Sequence, residues 1–193
     1  KFNKIILLPG SRRSEISLIL PEMLAATAII KRHDPNLNFV LPAVPHLLPL
    51  IQSLVAESGV TILDQPDDLI PALQTSDAMI ATSGTITLQA ALCGTVGVTC
   101  YRTSAFSGFI GRRLVDLDKV ILPNAILGRP LYPFYFQEAA NGKTLAAATL
   151  DCLDDANAKS SARQAAIELK SLLTGGAKSF DELVISALKN WLV

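Results

Sequence analysis

The feature that most constrains the fold of this chain is an apolar run that passes through a Gly-Ser-Arg turn into a helical pattern. Residues 5–8 read Ile-Ile-Leu-Leu, residues 9–12 read Pro-Gly-Ser-Arg, and helical periodicity follows from residue 14. A buried parallel strand that ends in this way leaves backbone N–H groups at the helix start available for an anion. Gly10 allows close backbone approach, Ser11 can cap or donate, and the Arg12 guanidinium suits phosphate oxygens.

A second junction of the same kind follows the apolar residues 79–81. Here Ser83, Gly84 and Thr85 lead into a helical pattern. Two anion-binding turns in one α/β domain predict a nucleotide diphosphate as the ligand. Each turn alone is weak evidence, because Ser83 or Thr85 fits an ordinary helix cap equally well.

Strand and helix patterns alternate along the chain, which predicts a doubly wound parallel sheet of α/β class. Ligands bind such sheets beyond the carboxyl ends of the strands, where both turns fall. The predicted strands are 4–8, 38–41, 60–63, 78–81 and 96–101. The predicted helices are 14–33, 47–58, one beginning at 65, 85–92 and 105–116, and then two or three helices from residue 142, divided near 154–157 and 175–176. Residues 119–122 are expected to be extended.

Composition excludes several classes of protein. Of 193 residues 50% are hydrophobic and 18% charged, so the chain is long and apolar enough for a full core. The formal net charge is zero, which gives no electrostatic case for nucleic-acid binding. No apolar stretch reaches the length of a membrane span and no signal-peptide pattern is visible. The three cysteines lack metal-site spacing and are typical of a reduced, cytoplasmic protein.

The order of five motifs resembles the carboxy-terminal half of lipid-A-disaccharide synthase, a GT-B glycosyltransferase family. The motifs are Leu8-Pro9-Gly10-Ser11-Arg12 with Glu15, Ala81-Thr82-Ser83-Gly84-Thr85 leading to Leu88, Tyr101-Arg102, Leu122-Pro123-Asn124 and Gln137-Glu138. The resemblance implies a Rossmann-like UDP-sugar-binding domain at 1–150. It also implies C-terminal helices at 151–193 that pack on that domain or on an amino-terminal domain. Because the chain starts at Lys1 and enters a strand within four residues, we expect an excised piece of a longer protein.

The resemblance further implies an inverting hexosyltransferase of lipid A biosynthesis that needs no metal or other cofactor. It would transfer 2,3-diacylglucosamine from its UDP donor to 2,3-diacylglucosamine 1-phosphate. The family's general base lies in the amino-terminal half, so we expect this piece to bind donor without turnover. Arg12 would stabilise the departing diphosphate. The implied donor-binding residues are Gly10, Ser11, Arg12, Ser83, Gly84, Thr85, Gln89, Asn124 and Gln137.

The chain departs from the family pattern at two positions. Gln89 stands where the family usually has a glutamate, which resembles the acid that contacts the ribose hydroxyls of GT-B donors. The acceptor oxygen is kept and the charge is lost. If Gln89 faces the ribose, we expect Gln89→Glu to tighten binding, whereas no change would point to a packing role. Phe134 stands where the family commonly has an acid, within Tyr132-Pro133-Phe134-Tyr135-Phe136. This aromatic cluster fits core packing better than a platform for sugar stacking.

Other readings remain open at this point. The same loops fit a UDP-N-acetylglucosamine 2-epimerase, a lipid II glycosyltransferase, or a degenerate GT-B-like interaction module without catalysis. Asp116-Leu117-Asp118 resembles a metal motif, but its position between elements argues against a metal site. The segment 106–113 fits an amphipathic helix packed on the sheet, or contact with membrane lipid or the acceptor phosphate.

The expected partners are a UDP-sugar and a lipid acceptor held by the amino-terminal domain, with no nucleic acid. The expected location is the cytoplasm, with peripheral contact at the inner face of the cytoplasmic membrane. Apolar positions in the last helix would favour self-association if they are exposed. They are Phe180, Leu183, Val184, Leu188 and Trp191.

Overall fold

The computed structural model describes residues 4–103 and 120–175, which form a six-stranded parallel sheet with helices on both faces. The strands lie side by side in the order β3-β2-β1-β4-β5-β6, and every neighbouring pair is parallel. The strands are β1 Lys4–Leu8, β2 Asn38–Pro42, β3 Thr61–Leu63, β4 Ala78–Thr82, β5 Gly97–Tyr101 and β6 Phe134–Phe136. The predicted fold class, a doubly wound parallel sheet, is confirmed.

Helices connect successive strands, as a parallel sheet requires. In the described ranges they are α1 Arg13–His33, α2 Leu48–Val55, α3 Leu69–Thr75, α4 Thr85–Leu92, α5 Leu122–Leu127, α6 Gly142–Asp154 and α7 Ala158–Thr174. Single 3₁₀ turns occur at Pro45–Leu47, Pro66–Asp68 and Gln137–Ala139. Helices α6 and α7 confirm the helical pattern predicted beyond residue 142, including its break near 154–157.

The core has two layers because side chains of each strand alternate between the faces of the sheet. On one face, Ile5 and Leu7 of β1 pack with Ile16 and Leu20 of α1, together with α2 and α6. On the other face, Ile6 and Leu8 pack beneath α3, α4, α5 and α7. Strands buried on both faces read as continuous apolar runs, which is why the central strands were evident from sequence.

The region around β6 differs from the sequence prediction. Ile121 has extended backbone angles, as expected, but Leu122 already begins α5 with Pro123 in its first turn. Proline fits there because the N–H groups of a first helical turn have no intrahelical partner. The strand β6 was not predicted. Its Phe134 packs on the sheet and stacks against Phe136 with ring centroids 6.1 Å apart, so the packing interpretation of the aromatic cluster holds.

Some expectations fall on other parts of the chain. The predicted helix at 105–116, the Asp116–Asp118 motif, the 106–113 segment and the apolar positions of 180–191 lie outside the described residues. Among the helices that are described, none combines the length and the hydropathy needed to cross a membrane.

Candidate functional site

The candidate site lies where the strand order changes direction, between β1 and β4. After β1 the chain continues to β2 on one side, whereas β4 occupies the other side of β1. Leu8 pairs with Ala81, so the turns that follow the two strands lie next to each other. The Thr82 hydroxyl donates to the Leu8 carbonyl oxygen at 3.2 Å and ties the two strand ends together. Parallel α/β sheets bind ligands at such switch points.

The two turns between strand and helix depend on glycines with positive φ. Gly10 has φ +95°, and a Cβ placed there would lie 2.6 Å from Glu15 Oε2. Gly84 has φ +146° and directly precedes Thr85, the first residue of α4. Residues with a side chain rarely adopt these angles. The Gly-Ser pattern recognised in the sequence therefore reflects a real backbone requirement at both turns.

A cleft of about 500 Å³ opens between these turns and the ends of β2 and β3. Its polar wall brings together the predicted residues Gly10, Ser11, Arg12, Ser83, Gly84 and Thr85. Its opposite wall is mainly apolar and was not identified from sequence. That wall contains Pro42, Ala43, Val44, Pro45 and Leu69. The cleft thus offers groups that bind phosphate on one side and an apolar surface on the other.

The start of helix α4 forms part of the polar wall, since Gly84 and Thr85 line the cleft. The helix has no side-chain cap, and residue Thr85 is exposed. The dipole and the unpaired N–H groups of an α-helical first turn favour an anion. The Ser83 N–H does not contribute, because it donates to the Cys100 carbonyl oxygen at 3.1 Å. Thr87 closes the turn from within the helix, donating through its hydroxyl to the Gly84 carbonyl oxygen at 2.7 Å.

Arg12 supplies a cationic side chain at the mouth of the cleft. Its side chain is 73% exposed, and Nη1 donates to Glu15 Oε1 at 2.5 Å. The hydrogen bond and the charge of Glu15 raise the pKa of Arg12 above its already high ordinary value, so the guanidinium is permanently charged. Burial raises the pKa of Tyr101, and the neighbouring Glu15 raises it further. Tyr101 is therefore a neutral hydrogen-bond donor beside this ion pair.

Glu15 is a residue whose part in the site sequence reasoning missed. It appeared only as a member of the resemblance motif, yet it is 8% exposed and lines the cleft. A sequence signal existed, since a glutamate three residues after the arginine falls in the first turn of α1. A carboxylate at that spacing can reach back to the start of its helix.

Three predicted donor-binding residues lie apart from this cleft. Gln89 is exposed on α4, one turn beyond Thr85. Asn124 is buried in α5, and Gln137 is buried directly after β6. None of the three lines the cleft. Their contact with a donor stays a prediction.

Asn124 and Gln137 already use their amide groups within the fold. Asn124 donates to the Tyr132 carbonyl oxygen at 2.9 Å and accepts from the N–H groups of Leu131 and Tyr132, both at 3.0 Å. Gln137 exchanges two hydrogen bonds with the backbone of Thr103, at 3.1 and 3.2 Å. These amides therefore hold the backbone around β6.

Within residues 4–103 and 120–175 no group of three or more His, Cys, Asp or Glu side chains is arranged to hold a metal ion. The charged group that faces the cleft and suits a phosphate is Arg12. Its fixed charge and the helix N-termini are the parts of this site that can balance a diphosphate.

Comparison with known proteins identifies one family that matches most of the chain. The family model of lipid-A-disaccharide synthetase matches residues 2–187. The lipid-A-disaccharide synthase of Burkholderia vietnamiensis is 43% identical over 158 residues, covering 79% of this chain and 40% of the relative. That of Paraburkholderia xenovorans is 37% identical over 190 residues, covering 96% of this chain and 48% of the relative. The chain therefore spans somewhat less than half the length of these relatives.

Solved structures of glycosyltransferases share the fold. The kitacinnamycin glycosyltransferase superposes with a TM-score of 0.61 at 15% identity, covering 96% of this chain and 42% of that one. The spinosyn rhamnosyltransferase SpnG superposes with a TM-score of 0.59 at 13% identity, covering 97% and 45%. A putative UDP-N-acetylglucosamine 2-epimerase from Listeria monocytogenes reaches 0.50 at 15% identity, covering 89% and 43%. At these identities the likeness concerns the GT-B fold alone.

Proposed function

Because this chain belongs to the lipid-A-disaccharide synthetase family of glycosyltransferases, we propose that it binds a UDP-sugar donor in the cleft between its two glycine turns. The observation that carries this proposal is the convergence of two helix starts and Arg12 on one cleft at the switch point of the sheet. A diphosphate carries the charge that such an arrangement suits. The apolar wall opposite is available to the rest of the donor.

Arg12 has a chemical role in this proposal. When the bond from the sugar to UDP breaks, negative charge grows on the departing diphosphate. A guanidinium and helix N–H groups that already face this position stabilise the transition state without reorganising. This supports metal-independent transfer, in which protein cations and dipoles supply the balancing charge.

The donor proposed for the complete enzyme is UDP-2,3-diacylglucosamine, and the acceptor is 2,3-diacylglucosamine 1-phosphate. Two features support this choice: the family match and the relatives' name, lipid-A-disaccharide synthase. The reaction inverts the anomeric carbon, and its general base comes from the part of the longer relatives that this chain does not match. The present chain therefore binds donor without turning it over. Its lipid partner places the reaction at the cytoplasmic face of a membrane.

Calorimetric titration with UDP tests the proposal, with uridine, ADP and inorganic pyrophosphate as comparison ligands. We expect saturable binding that prefers UDP. Arg12→Ala should weaken UDP binding by at least about tenfold, as expected for losing a hydrogen bond to a charged group. Uridine, which lacks phosphate, should bind both proteins alike.

Arg13→Ala is the matched control, because Arg13 is the adjacent exposed arginine and does not line the cleft. This variant should bind UDP as the unchanged chain does. A metal chelator added to the calorimeter sample should leave the UDP affinity unaltered, because the proposed site uses no metal ion. Equal losses for UDP and uridine in Arg12→Ala would sink the phosphate role of Arg12, and binding without nucleotide preference would favour an interaction module instead.

A further inference from the structure

Glu15 occupies the space beneath the turn that carries Arg12. Its side chain is 10% exposed, whereas that of Arg12 is 73% exposed. Oε1 accepts the bond from Arg12 Nη1 and a second, longer bond from the Tyr101 hydroxyl at 3.4 Å. A carboxylate on the first turn of α1 is thus gripped from the cleft by an arginine and from β5 by a tyrosine.

The second oxygen of Glu15 lies close to the glycine turn. Oε2 lies where a Cβ of residue 10 would come within 2.6 Å of it, and Thr82 Oγ1 limits the same space at 3.2 Å. The carboxylate therefore fills the volume under Gly10. A buried carboxylate without a partner is strongly unfavourable, so the Arg12 guanidinium is drawn onto it.

We propose that Glu15 is a positioning residue, which together with Tyr101 holds the Arg12 guanidinium at the cleft and so prepares it to bind the diphosphate. This inference rests on the proposed function, because the diphosphate is the ligand that Arg12 receives. A guanidinium carries five N–H donors, and the described contact with Glu15 uses only one of its nitrogens. The side chain can thus remain paired with Glu15 while it donates to phosphate oxygens.

The negative charge of Glu15 and the order that it imposes on the Arg12 side chain have opposite effects on phosphate binding. The carboxylate repels an arriving phosphate, so removing its charge would tighten binding if repulsion were the main effect. The carboxylate also restricts a long side chain that otherwise loses its freedom on binding. The sign of the affinity change in Glu15→Gln therefore decides between the two effects.

The first measurement is the UDP affinity of Glu15→Gln in two backgrounds. In the unchanged background we expect affinity to fall by roughly three- to tenfold, the range for ordering one long side chain. In the Arg12→Ala background the same change should produce no loss, because Glu15 acts through Arg12. Tyr101→Phe should give a smaller loss of the same kind. Tighter binding in Glu15→Gln, or equal losses in both backgrounds, would overturn the proposal.

Glu168→Gln provides the matched control. Glu168 lies on helix α7, away from the cleft, and its carboxylate is also paired with an arginine, Arg129. The change removes the charge of this carboxylate. The UDP affinity of this variant should equal that of the unchanged chain. Urea unfolding of each variant accompanies the titrations, so that a loss caused by unfolding is recognised as such.

The second measurement needs no ligand and separates this inference from the proposed function. Nitrogen-15 relaxation of the guanidinium Nε–Hε groups reports side-chain order on the fast timescale. Arg12 should be more ordered than its exposed neighbour Arg13, and Glu15→Gln should remove that difference. Equal disorder of Arg12 and Arg13 in the unchanged chain would overturn the positioning role. Failure of the unchanged chain to bind UDP would overturn the proposed function. The relaxation measurement, which needs no ligand, would still test whether Glu15 orders Arg12.

Discussion

Two regions of the sheet carry similar polar residues and use them differently. Beside β1 and β4, Ser11, Arg12 and Thr85 are exposed around an open cleft. Around β6, Asn124 and Gln137 are buried and bonded to backbone groups. The polar side chains are therefore open to solvent in one region and committed to the fold in the other. The difference lies in whether the hydrogen-bonding capacity is already used.

Gln137 illustrates the second case. Its φ of +53° is unusual for a residue with a side chain. Its carbonyl oxygen accepts from Arg102 Nε at 3.2 Å, while its side chain pairs with Thr103. Arg102 is itself bonded to Glu22 of α1 at 2.7 Å. A backbone conformation that costs energy persists because several surrounding contacts determine it.

Gly10→Ala is expected to have the largest effect, because it breaks the open region. The new Cβ meets both a positive φ and the Glu15 carboxylate at 2.6 Å. We expect the free energy of unfolding to fall by about 1–3 kcal/mol. UDP binding should be lost over the range that saturates the unchanged chain, since the turn can no longer present its N–H groups.

Gly128→Ala is the control for this prediction. Gly128 also has positive φ, at +66°, but nothing lies within 4 Å of a Cβ built there. It ends α5 in a left-handed conformation, so the change should cost about 1 kcal/mol and leave UDP affinity unaltered. A Gly10→Ala protein that still binds UDP normally would show that the turn does not form the site.

Asn124→Ala should break the saturated region instead. Truncation leaves the N–H groups of Leu131 and Tyr132 and the Tyr132 carbonyl oxygen without their partner. Each unsatisfied buried group is costly, so we expect the free energy of unfolding to fall by about 3 kcal/mol or more. UDP affinity of the folded protein should not change.

Asn141→Ala calibrates that loss. Asn141 caps α6 at the surface by accepting from the N–H groups of Lys143 and Thr144, both at 3.1 Å. Removing a helix cap costs about 1 kcal/mol, which should be clearly less than the Asn124 effect in urea unfolding. A specific loss of UDP affinity in Asn124→Ala, with stability retained, would instead support the donor contact that the resemblance implies.

The sequence predicted the open region well because its determinants are local. Apolar runs buried on both faces fix β1 and β4, and a parallel sheet brings their carboxyl ends together. Gly10 and Gly84 then mark the turns that need positive φ. These signals lie within a few residues of the groups that form the polar wall.

The region around β6 could not be predicted in the same way. Strand β6 has only three residues, Phe134–Phe136, and follows a proline, so it carries too few positions for a periodic pattern. The role of Asn124 depends on backbone groups seven and eight residues later. The contact of Glu15 with Tyr101 spans 86 positions. Such partners are set by tertiary packing, which no local pattern encodes.

Tyr132→Phe tests the saturated region through pH. The Tyr132 hydroxyl donates to the Thr95 carbonyl oxygen at 2.7 Å, and the residue is 2% exposed. Removing this bond should lower the free energy of unfolding at neutral pH by about 1–3 kcal/mol. The variant should bind UDP normally.

The alkaline behaviour of the two proteins should differ in a defined direction. Burial raises the pKa of Tyr132 above its ordinary value of 10.0, so the folded state keeps its proton while the unfolded state loses it. The contribution of the protonated Tyr132 hydroxyl to the free energy of unfolding is complete below about pH 10 and is lost as pH rises further. Urea unfolding between pH 7 and about pH 11 should therefore show the two stabilities converging above about pH 10. Burial of the Cys100 thiol, whose pKa is also raised, contributes an alkaline loss common to both proteins. If the free energies of unfolding of the two proteins stay parallel over this pH range, the Tyr132 hydroxyl does not make the proposed stabilising contribution.

Gln89→Glu should have the smallest effect, and it measures how far the open region extends along α4. Gln89 is exposed and lies one helical turn beyond Thr85. Because residues at this spacing are neighbours on one helix face, Gln89 and Thr85 share a face of α4. A carboxylate accepts a ribose hydroxyl more strongly than an amide does. Solvent weakens such a contact, and we expect UDP and uridine affinity to rise together by about two- to fivefold. The matched change Gln164→Glu, on the exposed surface of α7, should alter neither ligand. Weaker UDP binding with uridine unchanged would place position 89 near the phosphates, and no change for either ligand would end the site at the first turn of α4.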